Sequence, residues 1–252
     1  MGVIENRILV ISDIHGCLNE FQELLKLADY KPKSDQLILL GDYVDRGRNS
    51  KEVVEFVKEL VASNGVIALR GNHDQMFCDW IKKPIETLER YFRNGGLATI
   101  QSFLSLNVEE ELAEEIDENT YRNWATAILD SNPELIEFLE NLPFYYETDS
   151  FIFVHAGINP DYEDWKYTSN HEFIWIRDPF LHFDHPFDQT IIHGHTPTFI
   201  LQNDSNIFYG NKKIGIDGGC VYGKQLNCLE IKNGYFTHYF VKKEGEYYDQ
   251  EN

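Results

Sequence analysis

The residues best suited to chemistry in this 252-residue chain fall in five short polar stretches. The most informative is Gly41-Asp42-Tyr43-Val44-Asp45-Arg46-Gly47, where two carboxylates three residues apart are followed by a guanidinium. Asp42 is suited to hold a cation, Asp45 to orient a second group and Arg46 to meet an anion, while Gly47 frees the backbone to turn away. Alone, the heptapeptide also fits a capped loop ahead of a helix, since aspartates favour helix starts. Asp13 with His15, Asn72 with His73, His155 and His195 add oxygen and imidazole donors and no thiolate. That mix suits Mn²⁺, Fe or Zn²⁺ better than Ca²⁺. The set is large enough for two ions sharing a carboxylate. Two ions about 3.5–4 Å apart can clamp a phosphoryl group and activate a water for in-line attack.

The elements that must position these residues are visible in the apolar runs before them. Arg7–Ile11 is a strand candidate running into Ser12-Asp13-Ile14-His15-Gly16. Leu37–Leu40 runs into the Asp42 heptapeptide, and Val66–Leu69 into Arg70-Gly71-Asn72-His73-Asp74. Apolar residues at helical spacing follow the first two sites: Leu18, Phe21, Leu24 and Leu25, then Val53, Val54, Val57, Leu60 and Val61, with Asn64-Gly65 as a C-cap. Strand, site and helix in repeated order predict a parallel sheet with crossover helices, an α/β fold. From about residue 75 to 141 the spacing is helical, broken at Asn94-Gly95-Gly96, and this stretch is expected to be a helical insertion beside the sheet. Phe144–Thr148 and Phe151–Val154 form a hairpin pattern ending in His155. Residues 159–186 look loop-rich around the short apolar run Phe173–Ile176. Thr190–Ile192 leads to His195, and four further strand candidates follow, the last two joined by an Asn233-Gly234 turn.

Taken together, the ordered motifs DIHG, GDYVDRG, GNHD, HAG and GHT, spanning Asp13 to His195, resemble the phosphoprotein phosphatase branch of the calcineurin-like metallophosphoesterases. They are especially similar to small bacterial members, both protein phosphatases and symmetrical diadenosine tetraphosphate hydrolases. The resemblance implies a single domain over residues 1–243, a sandwich of two β-sheets flanked by helices; the acidic run over 244–252 reads as a tail from its charge. It also implies the ligand set: Asp13 and His15 on one metal, Asp42 bridging, and Asn72, His155 and His195 on the second. In that scheme a metal-activated water attacks phosphorus, His73 protonates the leaving oxygen, Asp45 orients His73, and Arg46 and Arg177 grip the phosphate. Two departures, GNHD for the usual GNHE and HAG for HGG, remove no ligand. Two divalent ions, Mn²⁺ foremost with Fe or Zn²⁺ as alternatives, are the implied cofactors.

Composition narrows the class. Forty-two acidic against 22 basic residues give a formal charge of −20, which opposes nucleic-acid binding. The acids concentrate in 109–118 and 244–251. No apolar run is long enough to span a bilayer, and the N-terminus lacks a secretion signal; Met1-Gly2 is a weak myristoylation hint. The four scattered cysteines fit reduced thiols in a cytoplasmic protein. The expected partner is a phosphorylated protein or small phosphoester, with a dinucleoside tetraphosphate as the rival substrate and a non-catalytic phosphate-binding scaffold as the bland alternative. A nucleotide pocket would need aromatic walls, for which Tyr91, Phe92, Trp165 and Tyr167 are the candidates. His193 is read as packed or supporting, His182 and His185 as loop polarity, and Asp217 as a turn near the site with no assigned role.

Overall fold

A computed structural model describes residues 7–106 and 117–243. The Met1-Gly2 hint, most of the acidic run 109–118 and the acidic tail lie outside the described residues. β1 (Arg7–Ile11), α1 (Leu18–Leu27), β2 (Asp35–Leu39), α2 (Ser50–Asn64) and β3 (Ile67–Ala68) alternate as the apolar pattern predicts. Gly65, at φ 65°, ends α2 in the left-handed conformation. Among the described residues five helices follow: α3 (Asn72–Lys82), α4 (Leu88–Arg93), α5 (Gly96–Leu104), α6 (Glu118–Ser131) and α7 (Pro133–Glu140). The second half holds β4 (Tyr145–Glu147), β5 (Phe151–Val154), α8 (Asn170–Trp175), β6 (Thr190–His193), α9 (Thr198–Leu201), β7 (Phe208–Gly210), β8 (Lys213–Gly215), β9 (Gln225–Lys232) and β10 (Tyr235–Lys242).

The strands form two five-stranded sheets, ordered β10-β9-β1-β2-β3 and β4-β5-β6-β8-β7. β1, β2 and β3 are parallel in the first, and β5, β6 and β8 in the second. Alternation along each strand explains the layers. Val10, Ile38, Leu40, Phe153, Ile192 and Leu229 point between the sheets and make one buried core. Leu9, Ile11, Leu37 and Leu39 point the other way, against α1, α2 and the helices between β3 and β4. Ile152, Val154 and Ile191 meet Trp165, Phe173 and Phe180 on the outer face of the second sheet. The segment read as loop-rich contains α8, started by a capping box in which Ser169 and Glu172 bond each other's backbone. The helix is six residues long, too short for its apolar spacing to stand out.

Arg7, at the start of the central strand β1, ties together the two strands that flank it. It donates to Glu230 at 3.0 Å, to the Ala28 and Asp29 carbonyls at 2.9 and 2.7 Å, and to the Asp35 carboxylate. Burial would raise the Asp35 carboxyl, but hydrogen bonds from Arg7 and the Lys31 N–H outweigh it and hold it below its ordinary value of 3.8. A depressed carboxyl stabilises the fold above its ordinary pKa and loses that contribution as pH falls through the folded value. Asp35→Asn is therefore expected to cost about 1 kcal/mol at pH 7, the scale of a charged hydrogen bond discounted for partial exposure. Urea unfolding of both proteins at pH 7 and pH 3 checks this, since the gap should narrow at the lower pH.

Candidate metal centre and active site

The parallel strands of both sheets deliver their polar loops to one rim. Tight turns put side chains there at a backbone cost. Six non-glycine residues of the rim hold left-handed backbones: Asp13 (φ 56°), His15 (45°), Asp42 (59°), Asp45 (71°), Arg46 (69°) and His195 (61°). Each such residue costs on the order of 1–3 kcal/mol unless its surroundings fix it. Cross-loop bonds do so here: Asp13, His15 and Gly16 N–H groups donate to Gly41, Asp42 and Tyr43 carbonyls at 3.1, 2.9 and 3.0 Å. Asp74 is a second clamp that motif reading passed over. Its carboxylate accepts from the Gly71, Asp42 and Tyr43 N–H groups at 2.8, 2.9 and 2.9 Å. Burial pushes this carboxyl up to about 6, against those three donors. Gly71 and Gly194 leave room for the carboxylates of Asp42 and Asp13, into which a Cβ at either glycine would run.

All six residues expected to ligate metal are buried and gathered. Asp13, Asp42 and His155 offer ligand atoms within 4.8 Å of one another, as do His15, Asp42 and His73. His15 Nδ1 bonds the Val44 carbonyl at 2.7 Å, and Arg46 donates to its Nε2 at 2.8 Å. A guanidinium can only donate, so Nδ1 carries the proton and Nε2 turns a lone pair to the site. His155 Nδ1 likewise bonds the Leu40 carbonyl at 3.1 Å, and its Nε2 faces Asn72 Oδ1 at 2.9 Å. Burial lowers the His155 pKa, so the ring is neutral and two lone pairs meet there. A cation satisfies such an arrangement. His195 Nδ1 reaches the same Asn72 oxygen at 2.8 Å. Burial, and then the neighbouring carboxylates of Asp13 and Asp74, push Asp42 well above the carboxylate range. Buried acids crowded this closely call for positive charge, and the donor set fits divalent cations.

Beside the ligands, His73 Nδ1 bonds Asp45 Oδ2 at 2.7 Å. The other Asp45 oxygen accepts from Tyr91 Oη at 2.9 Å and Thr99 Oγ1 at 2.7 Å. Burial raises Asp45 to about 7 and lowers His73. The helices between β3 and β4 thus hold the far side of the His73–Asp45 pair. Tyr91 is a buried support for Asp45 and forms no aromatic wall. Trp165 packs under the second sheet and Phe92 against the helical core.

A cleft of about 210 Å³ opens over the centre. Arg46, Arg177 and Asp217 reach into it, and Trp175, Phe199 and Tyr222 form an aromatic side. Of the four aromatic candidates from sequence, none lines it. The Arg46 guanidinium lies 5.1 Å from the Tyr222 ring centroid. Asp217, left without a role by sequence, is buried and pushed well up by burial and then by Asp13. Its strand-then-Asp-Gly-Gly pattern repeats the logic of Gly41-Asp42 and was the available signal. His193 is buried against Phe180 and pushed down to about 4 by burial, away from the ligand atoms. His182 pairs with Asp178 at 3.1 Å while His185 bonds the Lys212 carbonyl at 3.0 Å, so the two share no point of coordination.

Two sheets with this rim of aspartates, histidines and one asparagine define a metal-dependent phosphoester hydrolase. The chain belongs to the calcineurin-like phosphoesterase family, whose model matches residues 6–216. Members of this family use divalent metals. The chain is 28% identical over 244 residues to bis(5'-nucleosyl)-tetraphosphatase PrpE (asymmetrical) of Anoxybacillus flavithermus, covering 87% of this chain and 88% of that one. It is 26% identical to serine/threonine-protein phosphatase 1 of Salmonella typhimurium, covering 88% and 91%. The crystal structure of a proposed diadenosine tetraphosphatase shares the fold, with a TM-score of 0.64 at 21% identity over 98% of this chain and 97% of that one. Among the described residues no helix is long and apolar enough to cross a membrane.

Proposed function

We propose that the protein removes phosphate from phosphoserine or phosphothreonine in proteins. The observation that carries this is the His73–Asp45 pair, bonded at 2.7 Å beside a cleft of about 210 Å³ that presents two arginines. A serine or threonine alkoxide is a poor leaving group and needs a proton as the P–O bond breaks. As a carboxylate, Asp45 accepts from the Nδ1–H of His73 and favours the protonated ring against the effect of burial; in that form the ring gives its Nε2 proton to the leaving oxygen. Arg46 and Arg177 bind the phosphoryl oxygens, where charge-assisted bonds count most. Asp13, His15 and Asp42 would hold one divalent ion and Asp42, Asn72, His155 and His195 a second; when bound these supply charge neutralisation and an activated water. Mn²⁺ is the ion assigned, and the same donors accept Fe or Zn²⁺. Four unpaired cysteines support a cytoplasmic setting.

The enclosed volume suits one phosphoryl group on a short side chain. Two guanidiniums serve one phosphoryl group, but they are few for a four-phosphate chain approaching a protein of charge −20. A second reading, hydrolysis of a dinucleoside tetraphosphate, is favoured by the aromatic side of the cleft. Stacking of a base on an aromatic side chain contributes about 1–3 kcal/mol, and Tyr222 is 42% exposed there. The name of the Anoxybacillus relative supports the same reading. The deciding experiment compares kcat/KM of the Mn²⁺-loaded protein on a phosphothreonine peptide and on diadenosine tetraphosphate. Preference for the peptide is expected; preference for the dinucleotide would move the function to nucleotide turnover.

A further inference from the structure

Cys17 and Cys220 lie outside the proposed catalytic set and close to one another. The two sulfurs and a Glu20 carboxylate oxygen all lie within 4.8 Å of one another. The three residues are 2%, 1% and 7% exposed, respectively for Cys17, Cys220 and Glu20. Lys243 closes the cluster, donating to Glu20 Oε1 at 2.8 Å, while Glu20 Oε2 has no partner.

Their positions give the proximity its meaning. Cys17 ends the turn that carries Asp13 and His15, and its N–H bonds the Ile14 carbonyl at 2.9 Å. Cys220 opens the single turn Cys220–Tyr222, just after Asp217, whose Oδ1 accepts from the Gly219 N–H at 2.8 Å. Both loops face the cleft, one through Asp13 and the other through Asp217 and Tyr222. We propose that Cys17 and Cys220 are a modification site, oxidised by a peroxide to an intramolecular disulfide that ties these two loops together and impairs the cleft.

The step balances with hydrogen peroxide as the oxidant. One sulfur takes an oxygen as the O–O bond breaks, and water leaves. The second sulfur then attacks the first, the S–O bond breaks, and a second water leaves with the remaining thiol hydrogen. Two thiols and one peroxide become one disulfide and two waters. The bond would tie the turn that carries Asp13 and His15 covalently to the turn that follows Asp217. The other two cysteines supply an internal control. Cys78 sits on α3 and Cys228 on β9, both buried.

The test treats the metal-loaded full chain with a small excess of hydrogen peroxide and maps the unreduced peptides by mass spectrometry. A Cys17–Cys220 linked peptide is expected, two hydrogens lighter than its separate parts, with Cys78 and Cys228 still free. Hydrolysis of p-nitrophenyl phosphate is expected to fall about tenfold, the scale set by small displacements of positioning groups, and to return with dithiothreitol. Cys220→Ala should abolish both the link and the dithiothreitol-reversible loss; if it fails to fold, Cys17→Ala serves, and mapping of the unmutated chain needs neither. Recovery of both cysteines as free thiols or sulfonic acids, without the link, overturns the proposal. So does a link that leaves the hydrolysis rate unchanged.

Discussion

Replacing His73 by asparagine is expected to lower kcat on a phosphothreonine peptide by at least ~100-fold, the usual worth of a general acid. Asparagine keeps a side chain of similar reach but has no proton to give. The backbone bond from His73 N–H to Asp42 Oδ1, at 2.9 Å, survives because any residue supplies it. Metal content, measured by elemental analysis, should therefore match that of the unmutated chain. Leaving-group dependence adds a sharper signature. The loss should be large for an alkoxide such as threonine and small for p-nitrophenolate, which departs without help. An unchanged rate on the peptide would remove His73 from the acid role proposed for it.

Asp74→Ala is the second large effect. It strips three buried backbone N–H groups of their shared acceptor. Bonds to a charged group are worth about 1.5–3 kcal/mol each, and a buried donor left unpaired costs about 1–3. Because those contributions overlap within one clamp, a loss of about 3–5 kcal/mol in urea unfolding is expected, in line with breaking a buried charge network. The loop it holds carries Asp42, so Mn²⁺ affinity should fall as well. Asp74→Glu, with the same carboxylate on a longer stem, should recover part of both. A stability change within about 0.5 kcal/mol of zero, as for an ordinary surface substitution, would show that the clamp is dispensable.

The layout of the rim was readable because each polar motif follows a strand short enough to be recognised by its apolar run. β1, β2, β5 and β6 each end within a few residues of the ligand candidate assigned to them. The resemblance supplied what spacing could not, namely the proposed division of the donors between two metals. What stayed hidden depends on contacts distant in sequence. Tyr91 and Thr99 look like ordinary helix residues, yet their hydroxyls lie on Asp45, 46 and 54 residues earlier. The aromatic side of the cleft comes from Trp175 on α8, Phe199 on α9 and Tyr222 on the turn Cys220–Tyr222, elements after β5 too short for periodicity to mark. Asp74 was noticed only as a departure from a motif, since no pattern shows that its oxygens reach back to residues 42 and 43.

The two hydroxyls on Asp45 have a consequence for how such a protein can diverge. They come from the helices between β3 and β4, whereas the proposed ligands and Arg177 come from the strand-end loops and the segment after β5, and Asn72 alone stands on one of those helices, at its first residue. Exchanging Tyr91 for phenylalanine, or Thr99 for valine, would change the basicity of the carboxylate behind His73 and leave the donor set as it is. The strength of the acid can then drift to match its leaving group, a basic alkoxide in one lineage or a far less basic phosphate in another. Selection can act on that preference through residues that touch neither the metals nor the phosphoryl group. Relatives with near-identical ligand motifs can accordingly be specialised for chemically different esters.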